Sequence, residues 1–259
     1  ARKTLFLGLF LLVIEYHGKW GLSRKGREKY RYHPKESLAS EENSIYHIFI
    51  VGRQQSPCRP ARKNRKAGKK MKLTMLGTGN ATVTECYNTC FCFSGRKGHF
   101  LVDAGGGNRI LHVLKEADIP LEEIHDIFLT HKHIDHLLGM IWIIRMAGQK
   151  MNQGKYEGEL RIYCHSGLTD TLKTIAELTI QKKVTKHIGK RIRLIPVQDG
   201  ETREIIGCPV TFFDIHSTKA RQFGFAMLTP EGTKISCCGD EPFDPCEAQY
   251  IAGSDWLMH

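Results

Sequence analysis

The stretch Thr130-His131-Lys132-His133-Ile134-Asp135-His136 governs how the rest of the chain reads. Three imidazoles and a carboxylate fall between positions 131 and 136, directly after an apolar run at 124–129 that reads as a buried strand. On an extended or turning backbone His131 and His133 point the same way, because side chains alternate with a period of two. Asp135 and His136 can then turn towards a second position nearby. Nitrogen and oxygen donors in that arrangement suit two adjacent divalent metals. A surface loop that merely happens to be rich in histidine is the plain alternative.

Outward from this stretch, strand and helix patterns alternate from Met71 to His259 without an internal repeat. Strands are expected at 72–76, 89–93, 99–102, 124–129, 161–164, 191–197, 210–215, 224–228 and 234–238. Ile110, Val113, Leu114 and Ala117 share one helical face, and 137–147 is apolar enough to be a buried helix. Leu168, Leu172, Ile175 and Leu178 make 168–181 amphipathic. Helices interleaved with many strands imply sheets covered by helices, a pattern shared by several folds.

The motif chooses among them. The chain resembles the metallo-β-lactamase superfamily, whose H-x-H-x-D-H pattern it matches at every position, and within it the ribonuclease Z branch of phosphodiesterases. The resemblance runs over essentially all of 71–259. It takes in Leu76-Gly77-Thr78-Gly79, Leu101-Val102-Asp103-Ala104-Gly105 and Ser236-Cys237-Cys238-Gly239-Asp240. It implies an α/β fold, the αββα four-layer sandwich, in a chain that stops short of the family's last strand and helix.

The resemblance also implies a ligand set. His131, His133, His216 and a bridging Asp240 would hold one metal. Asp135, His136, Asp240 and a further histidine, lying in the family beyond the position of His259, would hold the other. His216 is followed by Ser217 and Phe223-Gly224-Phe225, as in the branch, and lacks the Gly-His-Thr/Ser-Pro-Gly pattern of thioester and lactam hydrolases. Zinc is the first candidate, although the donors also suit manganese or iron. Two such ions about 4 Å apart acidify a water and draw charge off phosphoryl oxygens. Asp135 would orient that water or take its proton, and His259 would act near the phosphate as the second catalytic group. Asp103 would support a ligand histidine from behind. His165 is expected to be structural.

The implied substrate is a phosphodiester, with precursor transfer RNA as one candidate. Residues 137–215 hold no Gly/Pro-rich arm of the kind that grips transfer RNA in the branch. They do hold Lys182, Lys183, Lys186, His187, Lys190, Arg191 and Arg193, which suit either a phosphate backbone or a solvated connection. Two alternatives stand beside this reading. One is a hydrolase of a small phosphodiester, such as a cyclic nucleotide, or of a phosphonate or ester. The other is an inactive fragment or a basic-tailed nucleic-acid binder. The branch is commonly dimeric, which makes a homodimer an expectation.

The +11 charge of the 259 residues is carried by one end. Residues 1–70 carry a net +12, while 71–259 carry −1. The basic segment reads as an extension, either a disordered tail or sequence upstream of a native start at Met71, ahead of a hydrolase domain at 71–259. Its apolar run at 5–14 is too short to span a bilayer and precedes no small-x-small cleavage site. No membrane partner is expected. Nine cysteines without any C-x-x-C pair read as reduced thiols in a cytoplasmic protein.

Overall fold

The computed structural model describes residues 10–12, 50–52 and 71–259. Two short strands, β1 (Phe10–Leu12) and β2 (Ile50–Gly52), come first. The reading of 1–70 as a disordered or non-native extension otherwise lies outside the described residues. The first sheet then forms from β3 (Lys72–Gly77), β4 (Cys90–Gly95), β5 (Gly98–Val102), β6 (Ile124–Phe128), β7 (Leu160–His165) and β8 (Ile192–Val197). These lie side by side in chain order, antiparallel from β3 to β5 and parallel from β5 to β8. The second sheet uses β9 (Thr202–Ile205), β10 (Cys208–Asp214), β11 (Phe223–Leu228), β12 (Lys234–Cys237) and β13 (Trp256–Met258). Its order is β1-β2-β13-β12-β11-β10-β9, with only β12 and β13 parallel.

Alternation along β4 shows how the layers are built. Cys90 and Cys92 face a core shared with Ile110 and Leu114 of α1 (Arg109–Glu116) and with Met140, Ile143 and Ile144 of α2 (Ile134–Asn152). Phe91 and Phe93 face the other way, into a second core with Phe212, Phe223 and Phe225 of the opposite sheet. A strand buried on both faces carries no polar alternation, so 90–93 reads as Cys-Phe-Cys-Phe. The helical side is completed by α3 (Ser166–Thr179) and α4 (Lys182–Thr185). Beyond the second sheet, Phe213, Ile215, Ala226 and Cys238 pack against Tyr250 and Ile251 of the short α5 (Ala248–Ile251). Helix, sheet, sheet and helix make the four layers expected.

Cys237 and Cys238 fall in different cores, as adjacent strand residues must. Every described cysteine is a free thiol. Four strands went unread in the sequence, β1, β2, β9 and β13. β9 is a polar edge strand with only Ile205 buried, and β13 has just three residues. The helix expected at 137 starts instead at Ile134, with His133 at its cap, and carries Asp135 and His136 in its first turn. A carboxylate there is favoured by the helix dipole. Among the described residues, no helix is long and apolar enough to cross a membrane.

Candidate metal centre

The candidate donors stand just past strand ends. His131 follows β6 after Leu129 and Thr130, His216 follows β10, and Asp240 follows β12. His259 follows β13, whose parallel register pairs Met258 with Cys237. The Cys238 amide donates to the Met258 carbonyl at 3.0 Å, so His259 emerges beside the Gly239-Asp240 turn. β10 and β12 run the same way, each antiparallel to the β11 between them, so His216 leaves the sheet on that same edge. The Phe223 amide donates to the Thr130 carbonyl at 3.1 Å and joins this edge to the motif loop of the first sheet.

His131, His133 and Asp240 converge there, each offering a ligand atom within 4.8 Å of the other two. His131 is fully buried, and its Nε2 lies 2.8 Å from His133 Nδ1 and 3.7 Å from Asp240 Oδ2. His136 Nε2 lies 3.6 Å from the same Asp240 oxygen and 3.4 Å from Asp135 Oδ2. Asp240 thus stands between the His131–His133 pair and the Asp135–His136 pair. The exposed His216 does not join the cluster. It sits at a φ of 54° and its amide donates to Asp214 Oδ1 at 2.9 Å. His259 is half-buried, with Nδ1 enclosed and without a hydrogen-bond partner. His165, at the end of β7, is buried against Phe223 and also stays outside.

Behind the histidines lies a network that fixes which nitrogens face the site. Asp103 holds a left-handed backbone at φ 56°, a conformation aspartate tolerates better than most residues. His136 Nδ1 lies 2.7 Å from Asp103 Oδ2 and donates to it, which turns Nε2 towards Asp135 and Asp240. The Thr130 amide donates to Asp103 Oδ1 at 2.9 Å, and the Thr130 hydroxyl donates to the same carboxylate. With its proton so used, Thr130 Oγ1 accepts from His131 Nδ1 at 2.9 Å. His131 is thereby held with its Nε2 lone pair facing His133. One carboxylate orients two histidines, the outer-shell arrangement that metal-ligating imidazoles need. Asp103 was legible in the sequence as a support; Thr130 and, at Asp240, Gln222 were not.

The electrostatics follow from the same contacts. Burial pushes His131 down to about 4, with His136 adding to the effect and Asp240 opposing it. Burial also works against charge on His136, but Asp103, Asp135 and Asp240 outweigh it and hold its pKa above the usual value. For Asp240, burial favours the protonated form, yet His136, His131 and the Gln222 amide keep it ionised. Asp135 is lowered too, with burial overcome by His136.

These residues fit a divalent cation. Two imidazole nitrogens 2.8 Å apart require a proton between them or a cation beside both. A neutral, buried His131 and an ionised Asp240 are in the states that metal ligation needs, whereas His136, held towards its charged form by the surrounding carboxylates, would release its Nε2 proton on ligation.

Comparison with known proteins bears on the family and the fold. The model of the family described as "Anti-Pycsar protein Apyc1" matches residues 71–259. Ribonuclease Z of Gloeothece citriformis is 25% identical over 166 residues, covering 63% of this chain and 48% of that protein. Ribonuclease Z of Rippkaea orientalis is 29% identical over 133 residues, covering 50% and 39%. The anti-Pycsar protein Apyc1 of Bacillus phage BSP38 is 38% identical over 69 residues, or 26% of each chain. The chain spans about half the length, or less, of the ribonuclease Z relatives it matches. Among solved structures, the metallo-β-lactamase fold protein YhfI of Bacillus subtilis superposes with a TM-score of 0.57 at 19% identity, covering 71% of this chain and 69% of that one. The short form of human tRNase Z gives 0.54 at 20% identity, covering 70% and 74%. Both likenesses establish the fold.

Proposed function

The chain belongs to the anti-Pycsar protein Apyc1 family, on the metallo-β-lactamase fold and near ribonuclease Z, and from that membership we propose that it is a dinuclear-metal phosphodiesterase. The observation that carries the proposal is the convergence of His131, His133 and Asp240 donors within 4.8 Å, with His136 reaching the same carboxylate and Asp135 beside His136. His131, His133 and Asp240 would hold one ion, and Asp135, His136 and Asp240 the other. His216, on an exposed turn at the same edge, is the remaining proposed ligand of the first. Bound divalent ions, zinc foremost, supply Lewis-acid polarisation of phosphoryl oxygens and lower the pKa of an attacking water.

The chain's own groups do the rest. Asp135, kept ionised beside His136, is the acceptor for the water proton. His259, which emerges beside the Gly239-Asp240 turn, is the group proposed to donate to the departing oxygen. Asp103 and Thr130 hold the imidazoles in the tautomers that present Nε2.

Substrate size is argued from the basic residues between 182 and 193. They cluster at α4 and the start of β8, and His187 Nε2 bonds Asn152 at the last turn of α2. Asp135 and His136 occupy the first turn of that same 19-residue helix. At 1.5 Å per residue the two ends lie about 27 Å apart. Arg191 is tied to the Tyr156 and Gly158 carbonyls, and Arg193 faces Glu159. The strip therefore serves the far end of the fold. A small phosphodiester, a cyclic nucleotide among the candidates, suits the site better than precursor transfer RNA. The ribonuclease Z relatives keep transfer RNA as the second reading.

Bound metal per chain by elemental analysis, with hydrolysis of a cyclic nucleotide and of precursor transfer RNA by the same sample, tests both levels. Two metals and turnover of the small diester are expected, and Asp135→Ala should abolish turnover while leaving the chain folded. Retained turnover in that variant removes Asp135 from the mechanism. Absence of metal from the wild-type chain sinks the proposal.

A further inference from the structure

Gln222 lies just before β11 with only 1% of its surface exposed, in a sequence position that carries no motif. Its side-chain Nε2 donates to Asp240 Oδ1 at 2.6 Å. Its carbonyl accepts from the Ile215 amide at 3.1 Å, next to His216. The following amide, that of Phe223, donates to the Thr130 carbonyl at 3.1 Å, next to His131. One dipeptide is thus bonded to all three segments that bring candidate ligands to the edge of the sandwich.

The side-chain bond has a directional consequence. A carboxylate past the end of a strand can rotate, and Asp240 is nearly half exposed at its side chain. Fixing Oδ1 on a buried amide leaves Oδ2 facing both His131 and His136, at 3.7 and 3.6 Å. The approach also constrains the backbone. Gly239 has a φ of 77°, and a Cβ there would collide with Gln222 Nε2, so only glycine lets the amide reach the carboxylate. An amide suits the task, since it donates without adding a charge that competes for the donors.

We propose that Gln222 is the positioning residue that sets the rotation of the Asp240 carboxylate, so that one of its oxygens faces both His131 and His136. The inference rests on the dinuclear reading for its purpose, though the Gln222–Asp240 bond itself does not. Gln222→Met keeps the length and burial of the side chain and removes the donor.

The 259-residue chain and this variant are compared by zinc titration against a competing chelator and by thermal unfolding in the metal-free state. Weakening of zinc affinity by about 10–100-fold is expected, the range seen when outer-shell partners are lost. The metal-free unfolding temperature should change little. Equal affinity in the two proteins overturns the proposal, and so does a loss of affinity matched by loss of the metal-free fold.

A second measurement needs no metal. In the wild-type chain the Gln222 side-chain amide protons should exchange slowly by NMR, and Asp240→Ala should release them. Unchanged exchange in that variant overturns the proposal even if zinc never binds. Failure of wild-type zinc binding alone, with the amide released as expected, counts against the phosphodiesterase reading and for the bond.

Discussion

A single hydroxyl decides the donor properties of His131. Thr130 Oγ1 lies within 3.1 Å of both Asp103 oxygens and 2.9 Å from His131 Nδ1, so it relays the carboxylate to an imidazole the carboxylate does not touch. Thr130→Val keeps the shape and removes the relay. It leaves a buried ring nitrogen without a partner, at a cost of about 1–3 kcal/mol. Zinc affinity should fall about tenfold or more, since His131 is then free to turn the wrong nitrogen to the site. Thr130→Ser should restore both. Urea denaturation and a chelator titration on the two variants check this, and a valine variant indistinguishable from wild type would refute the relay. The sequence announced the donors because five of them are metal-type residues, four packed into six positions and the fifth in a Gly-Asp turn. It was silent on Thr130 and Gln222, whose roles depend on partners 27 and 18 positions away. His216 stands apart from these, its left-handed backbone and its amide bond to Asp214 placing it on an exposed turn outside the cluster.

At the scale of elements, the first turn of α2 brings Asp135 and His136 against the turn that carries Asp103. Gly139 makes that approach possible. Its amide donates to the Gly105 carbonyl at 2.7 Å, and a Cβ at 139 would collide with the Ala104 carbonyl oxygen. Backbone cannot yield as a flexible side chain does. Glycine to alanine in a helix interior ordinarily stabilises by up to about 1 kcal/mol. Gly139→Ala should instead destabilise, by about 1–3 kcal/mol as overpacked sites do, and should lower bound metal by displacing His136 from Asp103. A denaturant midpoint that rises would show that α2 does not seat on this turn. The long apolar strands were legible because their composition is set by burial on both faces. The start of α2 was not, because its cap position holds His133, which makes no side-chain cap bond, rather than Ser, Thr, Asp or Asn. β13 was missed because three residues, paired with β12 on one side and β2 on the other, hold too little pattern to read.

The whole molecule joins a near-neutral body to a strongly basic leading segment, and the two make separable contributions. Among the described residues, both larger cores are built from 71–259, and every proposed ligand lies in that span. We propose that this span is the hydrolase domain. Among the described residues, β13 at Trp256–Met258 meets the leading segment, through its antiparallel pairing with β2. Removing residues 1–70 should therefore leave a cooperatively unfolding protein with its metal content and its turnover of a small diester, while opening the β13 edge to solvent. Polyanion binding should behave differently. Seventeen basic side chains against five acidic ones release counterions from any nucleic acid they meet, so affinity of the whole chain for RNA should fall steeply with salt. The shortened protein, at −1, should lose most of that affinity and its salt slope together. Hydrolysis and RNA binding measured side by side on the two proteins, across a salt series, distinguish the readings. Loss of small-diester turnover with the segment would tie the basic residues to the site. Turnover that persists while RNA affinity disappears would assign the charge to a sequence-independent contact and leave the phosphodiester chemistry to the sandwich alone.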